Sequence, residues 1–407
     1  MRFFDLLSSV TLLYWLVMLL SASAGLKLLR PLPFAPAAKR KGETPLVSVI
    51  VAAKEEEASI ADTVRYLLEQ DYPRLEIIAI NDRSQDGTGR RLDELKRWSE
   101  KRPSTAIPLK VVHITALPEG WLGKNHALYQ GYLQAKGSYL LFTDADVRFR
   151  STAIRDALSY AESSGADHLT LTPLMIARSF WLRAFVQYFM FSLNLFLRLW
   201  RANDDRQIKF GTGIGAFNLI TRKAYEAIGT HRALAMRPDD DLRLGVLVKR
   251  AGFKQRLLIG KNHLEVEWYP TLQEAVKGLE KNLFSGFGYR LPMAVFGMLG
   301  QLLAFFGPFA GLLLLPTWGG FAYAASAAIL VGLYVASTRR LSKDSGKEAW
   351  ALPAAVWMLI VVLARSVYLT LRRGGIYWRG TFYPLDRLRS MRDSDSQGGG
   401  SGPQLGK

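Results

Sequence analysis

Cysteine is absent from the 407-residue chain, which excludes disulfides, thiolate zinc sites and a cysteine nucleophile. A phosphate-binding loop is missing as well. Gly123 and Lys124 look like the end of one, but Pro118 stands where its first glycine belongs and no Ser or Thr follows the lysine. Gly211, Gly213 and Ala216 fit a dinucleotide fingerprint only loosely, and they do not follow the first strand of a βαβ unit. Glycines of this kind serve better to let backbone pass close to a ligand or another strand. Net acidity is lacking too: the formal charge is +18, which suits nucleic acid or an anionic membrane surface. A nucleic-acid binder needs aromatics interleaved with its basic face. Here the aromatics gather in apolar segments, so no nucleic-acid partner is expected.

Those segments are Leu6 to Leu29, Leu291 to Leu315, Phe321 to Ser337 and Ala351 to Leu371. The first is long enough to cross a bilayer. Ala22, Ser23 and Ala24 within it would fit a signal-peptidase site. Arg30, Lys39, Arg40 and Lys41 follow on the carboxyl side, whereas Arg2 at the amino end is offset by Asp5. The charge bias predicts an uncleaved anchor over residues 1–30 and a cytoplasmic domain behind it. We therefore expect a multi-pass protein of the cytoplasmic membrane, its basic excess facing lipid headgroups.

Pro31, Pro33 and Pro36 mark a stiff linker over 31–44, and a soluble domain starts near Pro45. Strands are predicted at Leu46–Val51, Leu75–Ile80, Lys110–Ile114 and Tyr139–Phe142, with helices at Ser59–Gln70 and Ala127–Ala135 between them. That alternation implies an α/β domain with a mostly parallel sheet covered by helices on both faces. The run SYLLFTDAD reads as a strand buried on both faces that stops in Asp144 and Asp146. Extended backbone points both carboxylates to one side, at the end of the sheet where ligands bind. They are placed to share one divalent metal.

Arg178 to Arg201 is rich in Phe, Leu and Trp, but Arg183, Gln187, Asn194, Arg198 and Arg201 fall on one narrow arc at helical spacing. A helix lying in the membrane interface is expected, with a helix packed under the sheet as the alternative.

The series VSVIVAAKEEEASI, EIIAINDRSQDGT, PEGWLGKNHAL, YLLFTDAD and MRPDDDLRLG followed by KRAG resembles the family 2 glycosyltransferases. Within them it is similar to membrane-bound members that act on lipids, such as those of hopanoid and carotenoid glycolipid pathways. The resemblance covers about 45–290 and implies a GT-A fold, a Rossmann-like sheet for nucleoside diphosphate sugars, with transmembrane helices at both ends. It implies that Glu56 and Asp82 hold the nucleoside of a sugar donor, expected to be a UDP-sugar. Asp144 and Asp146 match the DxD motif for Mg2+ or Mn2+, with Asp144 also on the donor side and Lys124 beside the phosphates. Asp241 is expected to be the general base, with Asp240 second. Trp121, His126 and Lys281 are candidate substrate contacts, and Trp268 a residue that stacks on sugar or lipid. Glu55 replaces the family's usual asparagine and Asn81 one of its paired aspartates. The QxxRW motif of polymer synthases is missing from GLEKNLFSGFGYR.

The reaction expected is one inverting transfer onto a membrane lipid. Transfer onto a polyprenyl phosphate or polysaccharide is the alternative, and an inactive membrane scaffold the reading from another class. Residues 291–371 are expected to hold the C-terminal membrane segments, and 372–407 a basic stretch ending in a disordered Gly, Ser and Gln tail. If all three apolar segments crossed, that basic stretch would lie opposite the catalytic domain. One must not cross, and Leu291–Leu315, with five Gly and Pro between Gly297 and Gly311, is the candidate for a re-entrant hairpin.

Overall fold

A computed structural model describes residues 2–35, 44–101, 107–280, 283–378 and 381–389. Most of the linker, Lys281 and the Gly/Ser-rich tail lie outside the described residues.

A long helix, α1 (Arg2–Leu28), leads to strand β1 (Val47–Ala53). The chain continues through α2 (Ile60–Leu68), β2 (Leu75–Asp82), α3 (Thr88–Glu100), β3 (Leu109–Ile114), α4 (Gly123–Gln134) and β4 (Tyr139–Asp144). Then come β5 (Val147–Phe149), α5 (Ala153–Ser164), β6 (His168–Thr172), β7 (Leu174–Met175) and α6 (Phe180–Leu197). After these follow β8 (Asn218–Thr221), α7 (Arg222–Ala227), α8 (Asp240–Arg250), β9 (Gln255–Ile259), β10 (Leu264–Val266) and α9 (Leu272–Glu280). Three apolar helices close the chain, α10 (Leu291–Leu314), α11 (Trp318–Leu341) and α12 (Leu352–Arg373), before a hairpin of β11 (Gly375–Trp378) and β12 (Thr381–Pro384).

Seven strands form the main sheet in the order β3-β2-β1-β4-β8-β6-β9. The first four pair in parallel, and β8 runs against both its neighbours. The sequence of β1 shows why it sits centrally. Val47, Val49 and Val51 enter one apolar core with Ile60, Val64 and Leu141. Ile50 enters the core on the opposite face with Ile78, Ile80, Leu140 and Phe142. A strand apolar on both faces has no solvent side to offer. Register sets Ala52 of β1 opposite Asp144 and Ala53 opposite Asn81, so the acidic strand ends share one edge. The second sheet, β5-β10-β7, stands beside that edge.

Five helices are long and apolar enough to cross a membrane: α1, α6, α10, α11 and the run Lys347–Arg373 that contains α12. Two of them differ from expectation. The polar arc of α6 is turned into the protein and does not face headgroups. Arg183 pairs with Glu348 at 2.5 Å, Gln187 bonds Asp344, and Asn194 is 3% exposed. Arg183 and Gln187 thus find partners inside the protein, whereas Asn194 Oδ1 is buried without a hydrogen-bond partner among the described residues. And α10 is no re-entrant hairpin. Leu291–Leu314 is one continuous helical run, with a π-helical stretch, Gln301–Phe306, between Gly300 and Gly307.

The helix that does not carry the chain away is α12. Before it, Lys261 donates to the carbonyls of Arg339 and Ser342, and Lys343 pairs with Glu265, tying this loop to the β9–β10 region. After it, the hairpin packs with Leu122 at the start of α4. Both ends of α12 thus rest on the α/β domain, and the basic residues Arg372 and Arg373 are on the same side as the sheet. The conflict with charge bias disappears without any break in α10.

Candidate active site

The carboxyl ends of β1, β2 and β4, the amino end of α4 and the loop before β8 surround a cavity of about 760 Å3. Glu56, Asp82, Lys124, Asp144, Asp146 and Asp241 all line it. These six come from five separate segments of chain, and six of the residues singled out from sequence therefore converge.

After β1, Glu55 adopts φ +53°, a left-handed conformation that asparagine takes more readily than glutamate. The departure at this position is tolerated because Glu55 bonds the next loop, accepting from the Gln85 amide at 2.9 Å. Glu57 accepts from the Gly87 amide at 3.0 Å. Glu56 remains turned to the cavity, its carboxylate held by the Ser59 hydroxyl at 2.8 Å. Asn81 bonds His113 at 3.1 Å and lies outside the cavity lining. Asp82 is buried and receives Arg83 through two bonds, of 2.7 and 3.0 Å. Gly123 packs closely beside them: a Cβ there would lie 2.4 Å from Asp82 Oδ2 and 2.7 Å from Arg83 Nη2, so both side chains would have to shift to admit one.

Lys124 Nζ lies 2.7 Å from Asp144 Oδ1. Burial works against its charge, but Asp144, Asp240 and Asp241 outweigh that and hold the ammonium well above its ordinary range. Asp146 is pushed up to about 7 by burial, then by Asp144 and Glu56. Asp241 accepts the Gly215 amide at Oδ2 (2.8 Å) and the Leu242 amide at Oδ1 (2.7 Å). Burial raises its pKa, Lys124 lowers it and Asp144 raises it again. Asp240 is also raised by burial, yet it points into a small side pocket with His231 and Leu128 and is absent from the main cavity lining.

Trp121 and His126 are not brought to the cavity. Trp121 stacks on Tyr129 with centroids 5.3 Å apart, and His126, 6% exposed, contacts Gln130. Four lining residues had no signal in the sequence: Arg83, Gly215, Thr381 and Tyr383. The glycine is visible only through what it touches, since its Cβ would meet Asp144 Oδ2 at 2.4 Å.

The cavity changes character along its length. Beyond the carboxylates it is walled by Val186, Phe189, Met190 and Leu193 of α6, together with Met175 and Trp268.

Residues 48–229 match Glycosyl transferase family 2. Over 352 residues, 84% of this chain and 89% of the relative, the sequence is 24% identical to 4,4'-diaponeurosporenoate glycosyltransferase of Staphylococcus aureus strain USA300. The enzyme of that name from the bovine strain RF122 / ET3-1 is 22% identical over 351 residues, with the same coverage of each chain. Residues 48–229 carry a glycosyltransferase family 2 domain. Among solved structures, a mannosyltransferase of Pyrobaculum calidifontis in complex with GDP-Man and Mn2+ has the same fold, with a TM-score of 0.51 and 17% identity. The alignment covers 90% of this glycosyltransferase and 98% of that chain, so the GT-A architecture expected for the sheet is the one found.

Proposed function

We propose that this glycosyltransferase moves a sugar from a nucleoside diphosphate sugar onto a membrane lipid, with inversion at the anomeric carbon. The observation that carries the reading is one continuous cavity, charged at the sheet edge and mostly apolar along α6, where Gln187 and Asn194 are its polar lining residues. A donor needs the first environment and a lipid acceptor the second. The carotenoid-associated relative in Staphylococcus supports a long apolar acceptor.

Glu56 and Asp82 are assigned to the nucleoside, and Lys124 to the diphosphate, where a fixed ammonium stabilises charge that grows as the sugar leaves. Asp241 is assigned as the base. Two backbone amides orient its carboxylate, and its raised pKa favours taking a proton from the acceptor hydroxyl. The acceptor oxygen bonds to the anomeric carbon as the carbon–phosphate-oxygen bond breaks, and the electron pair stays on the diphosphate. Asp240, turned into its side pocket, tunes Lys124 and Asp241 through its charge.

A Mg2+ or Mn2+ ion fits Asp144 and Asp146. The Asp146 carboxyl is pushed up to about 7 by burial, then by Asp144 and Glu56, and a cation would relieve the charge repulsion. No group of three His, Asp or Glu gathers here among the described residues, so water and phosphate oxygens would complete the shell, as hard divalent ions accept. When bound, such an ion supplies Lewis-acid stabilisation of the departing diphosphate.

We place the protein in the cytoplasmic membrane with the sheet domain in the cytoplasm, residues 45–290 forming the catalytic unit. The test is transfer by the purified chain in nanodiscs of native lipid, across UDP- and GDP-sugars with Mn2+ or EDTA, followed by mass spectrometry of the lipids. A new glycolipid that disappears with Asp241→Asn supports the reading. Donor turnover yielding only free sugar, with every lipid unchanged, would overturn the lipid acceptor.

A further inference from the structure

The last described segment of the chain returns to the donor end of the cavity. After α12, β11 and β12 pair from Gly375 opposite Pro384 to Trp378 opposite Thr381, and the Leu385 amide closes the pair on the Gly374 carbonyl at 2.9 Å. Alternation along β12 turns Thr381 and Tyr383 to one side and Phe382 to the other. Thr381 and Tyr383 line the cavity with Asp82, Arg83, Gly123 and Lys124, whereas Phe382 packs outside on Tyr377. Tyr383 is only 7% exposed, seated among Leu122, Tyr289, Val367 and Leu385. It stands at the same end of the cavity as Gly123 and Lys124 of α4 and Asp82 and Arg83 at the end of β2. Arg389 donates to the Tyr289 carbonyl at 2.9 Å, and Arg387 pairs with Glu119, fastening the segment beyond the hairpin.

We propose that Tyr383 is a donor-binding residue: its phenol forms the wall of the cavity that faces the nucleoside of a nucleoside diphosphate, beside the amino end of α4. This rests on the glycosyltransferase reading above and extends it, because the donor site is completed by a hairpin hung from a membrane helix. A Cβ on Gly123 would lie 2.4 Å from Asp82 Oδ2, so the start of α4, Asp82 and Tyr383 crowd one end of the cavity. A tyrosine offers an aromatic face for a base and a hydroxyl for a hydrogen bond in one side chain.

The experiment compares the full chain in nanodiscs with Tyr383→Ala, Tyr383→Phe and, as a control on the exposed face of the hairpin, Tyr377→Ala. Binding of UDP and of GDP is measured by calorimetry, and donor KM and kcat by transfer. Tyr383→Ala is expected to weaken nucleotide binding about tenfold and raise donor KM by a similar factor with kcat within about twofold. Tyr383→Phe recovers most of the affinity, and Tyr377→Ala matches the unaltered chain. Nucleotide affinity unchanged in Tyr383→Ala would overturn the proposal alone. An unaltered chain that binds neither nucleotide would overturn the donor site and this proposal with it. Should Tyr383→Ala fail to fold, 3-fluorotyrosine placed at position 383 gives the answer: its fluorine resonance shifts on adding UDP or GDP, and an unmoved resonance at a saturating concentration overturns the assignment.

Discussion

The ammonium of Lys124 and the carboxylate of Asp144 meet 2.7 Å apart, joining the first turn of α4 to the last residue of β4. The lysine is about one quarter exposed and the aspartate somewhat more, so a diphosphate can reach both. Three aspartates hold the ammonium charged against the cost of burial, which makes it a fixed positive group where negative charge develops. Lys124→Gln should therefore lower kcat by about 10²- to 10³-fold, the range for removing one such stabilising group. Steady-state transfer reads this, and an unchanged kcat would remove Lys124 from the chemistry.

Asp241 and Asp240 are adjacent in sequence, yet only Asp241 faces the main cavity. Asp241→Asn should cost about 10²- to 10⁴-fold in kcat, the scale of a lost general base, while UDP or GDP still binds. Asp240→Asn should cost less. The reverse ranking would transfer the base role to Asp240.

Asp146 carries the pH dependence. Its folded-state pKa, about 7, lies above the unfolded value of about 3.9, so the folded chain holds the proton more tightly. The stability this group contributes is fully present below the unfolded value and is lost as pH rises through about 7. Asp240, raised by burial, contributes with the same sign. In EDTA the unfolding temperature should fall between pH 5 and pH 8, and Mn2+ should restore more of it at the higher pH. Asp146→Asn should flatten the slope and abolish the Mn2+ gain; a variant that still gains stability from Mn2+ would place the ion elsewhere.

Gly213 lies under Asp241, the proposed base. A Cβ there would come within 2.2 Å of the Asp241 carbonyl oxygen and 2.6 Å of Asn218 Oδ1. Backbone must shift to admit it, so Gly213→Ala should destabilise the fold by about 1–3 kcal/mol and reduce activity by displacing Asp241. Thermal unfolding and transfer measured together check both, and wild-type values for each would deny the close approach.

Arg183 and Glu348 fasten α6 to the loop before α12, with the glutamate side chain fully buried. Arg183→Ala leaves that carboxylate without its partner and should cost about 3–5 kcal/mol. Arg183→Met combined with Glu348→Leu should recover most of the loss, because two apolar groups can replace a buried pair at little cost. A double variant as unstable as the single one would show that the ion pair itself is required.

Much of the α/β domain is legible in the sequence because its strands are buried on both faces: β1 and β4 read as continuous apolar runs that stop at polar residues, and such stops mark the sheet edge. Asp144 and Asp146 follow from that edge by alternation alone. The helices near the membrane are less legible. The composition of α6 is equally that of an interfacial helix and of a buried one, and only Glu348 and Asp344, supplied from beyond α11, decide that its polar arc turns inward. Length and apolarity alone equally admit α10 and α12 as crossings; the contacts at both ends of α12 show which of them brings the chain back. Within the site, sequence by itself determined the kinds of groups, acids at strand ends and a lysine at a helix start. Tertiary structure alone decided that the Gly215 amide aims Asp241 and that Tyr383 closes the cavity beside Gly123. Local pattern records what a segment must bury, whereas these contacts join segments far apart in the chain, and their geometry exists only once the sheet and the returning helix are packed.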